Sequence, residues 1–411
     1  MRSVQDHLAA VLASVGPVAP LDVVLADAAG CILAADVVAP ADLPPLTVAE
    51  RDGYAVSAQD TAHAGPTSSL TFPVAHDVVA GAAAPLRLAP GQAVRVASGA
   101  PLPVGADAVV PLEETDRGTV RVGFQRPARP GQHLRAAASD ARTGQVVLEA
   151  GTRLGARQLA LAAGLGRGRL RVHPAPRVVV VTVGDELREP GTPPAEGGVF
   201  DANAHALTTA VLDTGAAAIR VGGVGDDRAT LRETLEDQLV RADLLVLTGG
   251  LSDLARDTVK DVLAPLGTVR FDRVAMSPGQ RQGFGTVAGA GVTGDGAVPI
   301  FALQGHPLAA FISFEVFVRP ALRSMAGQAE LYRPSVAAVA TTGWPSPAGL
   351  RQFVPATLVG TPDEGYQVTP VGDPSVASLA ALARANALAV VPEHDVAVAA
   401  GQRVHCLVLE G

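Results

Sequence analysis

The chain has 411 residues, 48% hydrophobic and 18% charged, a composition of folded globular chains and not of disordered ones. Its length exceeds the size at which a single hydrophobic core keeps growing, so two to four domains are expected. A net charge of −8 leaves no basic surplus to displace phosphate counterions, which argues against a general nucleic-acid binder.

Residues 1–14 alternate like a short amphipathic helix, and Leu21 to Val38 reads as helix followed by strand. Pro40, Pro44 and Pro45 break that pattern. From about 46 to 140, short valine-rich runs (Ala93 to Ala97, Ala108 to Pro111, Thr119 to Phe124) are separated by Gly and Pro turns and predict a small β domain. A helix from about Gly155 to Gly164 returns to the first texture, so this β domain reads as inserted into a helical and linker unit of residues 1–45 and 141–175. Over 176–328 strands and helices alternate. Strand Arg177 to Thr182, helix Asn203 to Thr214, strand Ala217 to Gly222 and helix Arg228 to Leu239 come first. Strand Asp243 to Leu247, helix Asp257 to Leu263, strands Thr268 to Val274 and Val298 to Leu303, and helix Pro307 to Met325 follow. This alternation implies a mainly parallel, three-layer α/β domain. Residues 329–411 turn β again, the size of a small barrel or sandwich.

Cys31 and Cys406 lie in apolar surroundings and read as buried structural thiols in a reduced compartment. No signal-peptide pattern opens the chain, and no apolar run approaches the ~20 residues of a membrane span. A cytoplasmic, soluble protein without a membrane partner is expected. Lys260 is the chain's single lysine among 32 Lys and Arg residues, so an anion site here must use arginine, backbone N–H groups or that lysine.

The stretch Thr248 to Leu263 follows the apolar run Leu244 to Leu247, and an apolar strand, a small-residue turn and an acid-bearing helix start form a binding loop at the carboxyl end of a strand. Gly249 and Gly250 permit close backbone approach, and the following helix would aim N–H groups at an anion. A second copy of the arrangement runs from Val178 through Gly184, Asp185 and Glu186. With Asp226, Asp227 and Asp257, these acids suit Mg²⁺, which takes one or two carboxylates and leaves its other positions to water and phosphate. Singly, each such acid is more often a cap or a solvated loop residue. Asp52 sits in Asp52-Gly53-Tyr54-Ala55 after a Pro-rich segment, where turn capping is the simpler local reading. Ser98 to Pro103 with Gly105 to Asp107 is a tight loop, and Gln304-Gly305-His306-Pro307 opens a helix with proline in its first turn. No G-x-S-x-G elbow and no P-loop is present.

In this order the pieces resemble one family, the molybdopterin molybdenumtransferases (the bacterial MoeA proteins and the gephyrin E domain). The motifs that carry the resemblance are Asp52 to Ala55, Ser98 to Asp107, Arg135 with Asp140, Gly184 to Leu187, Asp201 with Asn203, Thr248 to Ser252 with Asp257, Met276 to Gly279, and Ala302 to Pro307. The resemblance implies insertion of molybdate into adenylylated molybdopterin, assisted by Mg²⁺, by an elongated homodimer whose cleft lies between subunits, with the molybdopterin adenylyltransferase as a possible partner. It implies catalytic roles for Asp52, Asp140, Glu186, Asp226 and Asp257, the last three holding the metal. It implies substrate contacts from Ser98, Gly99, Thr248, Gly249, Gly250, Ser252, Pro278, Gly279, Arg281, Gly305, Pro307 and Arg351. Where the family has K-P-G-K-P this chain reads Ser277-Pro278-Gly279-Gln280-Arg281, so both lysines are absent, and Ala309 replaces a common serine. An active transferase is the leading expectation. The alternative is a catalytically impaired paralogue acting as a pterin-binding or scaffolding homodimer.

Overall fold

A computed structural model describes the chain except residues 83–85, 194–195, 252–256, 267, 289–295 and 410–411. Two compact units emerge, one of residues 1–34, 151–155 and 171–411, the other of 35–150 and 156–170.

The first unit is built on a six-stranded sheet in the order Ala217–Val224, Arg177–Val183, Leu244–Gly249, Ala297–Leu303, Arg281–Ala288, Arg270–Arg273. The first four strands are parallel, and the last two pair antiparallel. Its central strands are apolar without alternation because both faces are covered. Val178, Val180, Leu244 and Val246 pack on one side with Leu207 and Val211 of helix Ala202–Asp213. Val179, Val181, Leu245 and Leu247 pack on the other with Leu231 and Leu235 of helix Arg228–Leu239, and with Val259 and Leu263 of helix Thr258–Leu263. The expected three-layer α/β architecture is therefore present. The strand Arg281–Ala288, which contains Gly283 and Gly285, was not among the expected strands. The glycines are needed for close packing: a Cβ on Gly283 would lie 2.7 Å from Phe271, and one on Gly285 only 2.4 Å from the Val269 α-carbon.

Strands Ser335–Ala340, Arg351–Thr361, Gly365–Pro370, Ala387–Val391 and Arg403–Val408 close on one another into a five-stranded barrel, and Met276–Ser277 joins it beside Arg351–Thr361. Closure leaves the five strands without an open edge. Phe353 and Leu388 of the barrel belong to the same buried cluster as Phe301 and Leu308 of the α/β layer.

In the second unit a five-stranded sheet runs in the order Ala108–Pro111, Gly53–Val56, Ala93–Val96, Leu70–Val78, Arg121–Phe124. Tyr54 meets Phe124 edge-on at 6.3 Å, and Phe72 lies 5.3 Å from the same ring.

Two expectations are corrected and a third is refined. Leu21–Val24 is a strand, not a helix, because it joins a three-stranded sheet with Arg169–His173 and Ile32–Leu33, where tertiary pairing overrides local pattern. The 307–325 run is helical throughout but contains a π turn, Phe314–Val318, between helices Pro307–Ser313 and Arg319–Met325. Cys406 is buried as expected, whereas Cys31 is partly exposed, and both thiols are free. No helix among the described residues is long and apolar enough to cross a membrane.

Helix Val4–Ala13 carries His7 into the core, edge-on to Phe317 at 4.8 Å and with neither ring nitrogen hydrogen-bonded. Burial above all, helped by Arg2 and opposed by Asp272, lowers its pKa from 6.5 to about 4. The unfolded chain therefore binds this proton near pH 6.5 and the folded chain only near 4, so stability is complete above 6.5 and is lost as pH falls toward 4. The loss attributable to this one group is about 3 kcal/mol. His7→Leu should flatten the acid limb of stability measured by urea denaturation, and an unchanged slope between pH 6.5 and 4 would exonerate His7.

Candidate active site

Because strands Ala217–Val224, Arg177–Val183, Leu244–Gly249 and Ala297–Leu303 are parallel, the loops after them share one edge of the sheet. The first and third lead to helices on one face, the second and fourth to helices on the other, so the chain diverges between neighbouring strands and opens a crevice at their carboxyl ends.

Four side chains tie these loops together. Thr182 donates to Asp201 Oδ2 at 2.5 Å and accepts from the Gly223 amide at 3.1 Å. Asn203 Nδ2 donates to Thr248 Oγ1 at 3.0 Å and to the Gly305 carbonyl at 2.7 Å, while Thr248 donates to the Gln304 carbonyl at 2.9 Å. Thr248, Gly249, Gly250, Gly305 and Pro307 are thus brought to one place. Gly249 and Gly250 have φ of +92° and +64°, and a Cβ on Gly305 would press on the Gly249 α-carbon at 3.4 Å. At Gly249 itself a Cβ would fall 2.1 Å from the Val183 carbonyl oxygen. Gly249→Ala should therefore cost about 1–3 kcal/mol in backbone strain before the clash is counted. A melting temperature equal to that of the parent would refute this close approach.

The acidic loops meet as well. The Asp226 amide donates to Asp185 Oδ1 at 3.0 Å, and Thr258 Oγ1 donates to the Asp226 carbonyl at 3.2 Å. Glu186 folds back over Gly184, where a Cβ would lie 2.4 Å from its Oε2. The expected metal cage of Glu186, Asp226 and Asp257 is not preformed: among the described residues no three His, Cys, Asp or Glu side chains gather closely enough to hold one cation. Part of the reason is that aspartates are spent on helix starts. Asp257 caps Thr258–Leu263 through the Lys260 amide at 3.2 Å, and Asp227 caps Arg228–Leu239 through the Thr230 amide at 2.8 Å. The helix after the Gly249-Gly250 turn thus gives its Lys260 amide to a carboxylate of its own chain. Burial raises the Asp257 pKa, with the Lys260 amide, Lys260 and Arg281 pulling it down and Asp261 pushing it up.

Asp257 lines a cavity of about 210 Å³ with Lys260, Phe271, Asp272, Arg273 and Arg281. The chain's single lysine and two arginines therefore line the same cavity as the Asp257 and Asp272 carboxylates. Gly279, with φ of +99°, sits against Ser313, and buried Gln282 donates to the Gly279 carbonyl and to Ser313 Oγ, both at 2.7 Å. That bridge fixes the turn holding Pro278 and Arg281. Arg351 is placed beside Met276 by the barrel, but its guanidinium is engaged by Glu393 at 3.0 Å. Ser252 lies outside the described residues.

The second unit holds the remaining candidates. The Ser98 amide donates to Asp52 Oδ1 at 2.7 Å, Ser98 Oγ donates to the Glu50 carbonyl, and Gly99 turns with φ of +79°. Asp52 also lines a cavity of about 270 Å³ with Asp77 and Arg95. Asp140 pairs with Arg135. Sequence reasoning missed Thr182, Gln282 and Arg273; a lone polar residue inside an apolar strand run was the available signal for the first.

Three family models match in chain order: the MoeA N-terminal region (domain I and II) over residues 2–166, a probable molybdopterin binding domain over 179–324, and the MoeA C-terminal region (domain IV) over 337–409. The chain is 41% identical over 410 residues to molybdopterin molybdenumtransferase 2 of Mycobacterium tuberculosis (strain ATCC 25618 / H37Rv), covering 98% of each chain. The chain belongs to the MoeA family. It is 31% identical to the molybdopterin molybdenumtransferase of Bacillus subtilis (strain 168), covering 94% of this chain and 89% of the relative. A solved molybdopterin biosynthesis moea protein from Pyrococcus horikosii superposes with a TM-score of 0.81 at 28% identity, covering 100% of this chain and 99% of that one. In this MoeA chain Ser277 and Gln280 stand where the resemblance calls for lysine, while Lys260, Arg273 and Arg281 supply positive charge beside Asp257.

Proposed function

We propose that this chain is a molybdopterin molybdenumtransferase, inserting molybdate into adenylylated molybdopterin with release of AMP. The observation that carries the reading is the hydrogen-bonded convergence of Asn203, Thr248 and Gly305 with the Asp185, Asp226 and Asp257 loops at one sheet edge. Full-length kinship with named transferases supports it. Glycines at 249, 250 and 305 admit the backbone to a phosphate, and the cations beside Asp257 offer a place for a second anion.

The donor chemistry fits Mg²⁺, a hard ion satisfied by one or two carboxylates with phosphate and water completing its sphere. Because no three of these side chains gather among the described residues, one or two of Glu186, Asp226 and Asp257 would hold it, and bound there it would neutralise charge on the pyrophosphate. Within this assignment Thr248, Gly249, Gly250, Ser252, Gly305 and Pro307 bind substrate phosphate, Pro278, Gly279 and Arg281 the oxyanion side, with Arg351 behind them. Asp52, Ser98, Gly99 and Asp140 are the catalytic and binding candidates of the second unit. Assembly as a homodimer, receiving substrate from the adenylyltransferase, belongs to the same reading.

Purified protein given adenylylated molybdopterin, molybdate and Mg²⁺ should release AMP and form the molybdenum-loaded cofactor. Protein that binds the pterin but neither cleaves the adenylate nor loads metal would overturn the assignment.

A further inference from the structure

We infer that Asp201 is the residue that reads the 2-aminopyrimidin-4-one edge of the pterin, in a separate recess beside the phosphate turn; this rests on the molybdopterin reading above. The recess, about 260 Å³, is walled by Leu187, Arg188, Glu189, Asp201, Arg220, Gly222 and Gly223. It approaches the lower end of the roughly 300–1,000 Å³ common for small-molecule pockets. Asp201 is only 4% exposed yet forms part of this wall.

A buried carboxylate ordinarily has a cation beside it or a full set of donors. Among the described residues Asp201 has neither. Its Oδ2 accepts from Thr182 and its Oδ1 from the Ala204 amide at 2.9 Å. A carboxylate offers about four lone-pair sites, so one remains on each oxygen. The two arginines of the recess are committed elsewhere. Arg220 grips Glu189 at 3.0 and 3.1 Å, and Arg188 donates to the Asp185 and Leu187 carbonyls. Beside the carboxylate, side chains are missing where a flat ring would need room. A Cβ on Gly222 would lie 3.8 Å from Asp201 Oδ2, and a Cβ on Gly223, with φ of +65°, would meet nothing within 4 Å.

Two acceptor oxygens side by side match a ligand presenting two adjacent donors. The pterin N3–H and 2-amino group form such a pair, and guanine carries the same edge. Thr182 and the Ala204 amide fix the carboxylate plane, so recognition needs no rearrangement of the loop. The same hydrogen bonds make Asp201 the cap of helix Ala202–Asp213, which is the purely structural role to be separated from this one.

Asp201→Asn separates them, since asparagine caps as well as aspartate but replaces one acceptor with a donor that opposes the pterin edge. Wild-type protein should bind molybdopterin, and pterin should displace it better than lumazine, which carries a carbonyl in place of the 2-amino group. The variant should melt near the wild type, bind molybdopterin roughly 10- to 100-fold more weakly, and lose the preference for pterin over lumazine. Equal affinity and equal preference in wild type and variant would overturn the role of Asp201 while leaving the transferase reading standing. Displacement by guanosine monophosphate but not by pterin would overturn the pterin assignment. Failure of the wild type to bind molybdopterin would end the reading and the inference together. If the variant fails to fold, the pterin-to-lumazine preference of the wild type alone decides: no preference refutes the recess.

Discussion

Asparagine at position 257 should lower molybdenum insertion by roughly 10²- to 10⁴-fold, the range typical of losing a positioned ionisable group. The protein should remain folded. Asp257 has two jobs, accepting the Lys260 amide as a helix cap and presenting a half-buried carboxylate to the cavity that also holds Lys260, Arg273 and Arg281. Asparagine retains the first and removes the charge required for the second. Alanine removes both, and should add a stability loss of about 1 kcal/mol from the missing cap. Burial raises the Asp257 pKa in the unliganded chain and Mg²⁺ at the same carboxylate would lower it, so the acid limb of the rate profile should move to lower pH as Mg²⁺ rises and vanish in the asparagine variant. A rate within a few-fold of the parent would remove Asp257 from the chemistry.

The largest stability effect is expected at Glu315, inside the π turn. Its carboxylate, 4% exposed, takes a two-point grip from Arg333 at 2.8 and 3.0 Å and lies 3.8 Å from Arg319. Glu315→Ala leaves two largely buried guanidinium groups without their counter-charge, and should cost about 3–5 kcal/mol in chemical denaturation. Arg319→Leu should cost far less, since its Nε and Nη1 already lack hydrogen-bond partners in the core. Burial lowers the Arg319 pKa, and Arg333 and Arg323 add to this against Glu315. If the two variants proved equally destabilising, the asymmetry argued here would be wrong.

Much of the α/β layer was legible because its central strands are unbroken apolar runs, such as Val178 to Val181 and Leu244 to Leu247, and few structures other than a doubly covered sheet absorb such runs. Arg281–Ala288 was hidden because its glycines answer to neighbours distant in sequence, Phe271, Ala302 and Val269. Leu21–Val24 was misread for a related cause: its partner, Arg169–His173, lies far along the chain. In the site, the turn Thr248 to Gly250 and the acid after it could be found from local spacing. What local spacing could not decide was whether an aspartate faces solvent, ligand or its own helix. Asp227 and Asp257 both cap, and only the three-dimensional arrangement shows Asp257 opening onto a cavity as well. Likewise Asp201 was visible as a motif residue, whereas its recess depends on Gly222 and Gly223 from a different strand.

The barrel and the α/β layer share one continuous set of buried side chains, with Phe353 and Leu388 packed among Phe301, Leu308 and Phe317, and Met276–Ser277 physically stitched to Arg351–Thr361. Regions joined in this way cannot open separately without baring apolar surface on both sides. Energy gained when something settles on the Thr248 loop should therefore be felt as slower hydrogen exchange in strands that never touch it. The C-terminal barrel should thus work as ballast for the candidate site, and damage far from that site should loosen it.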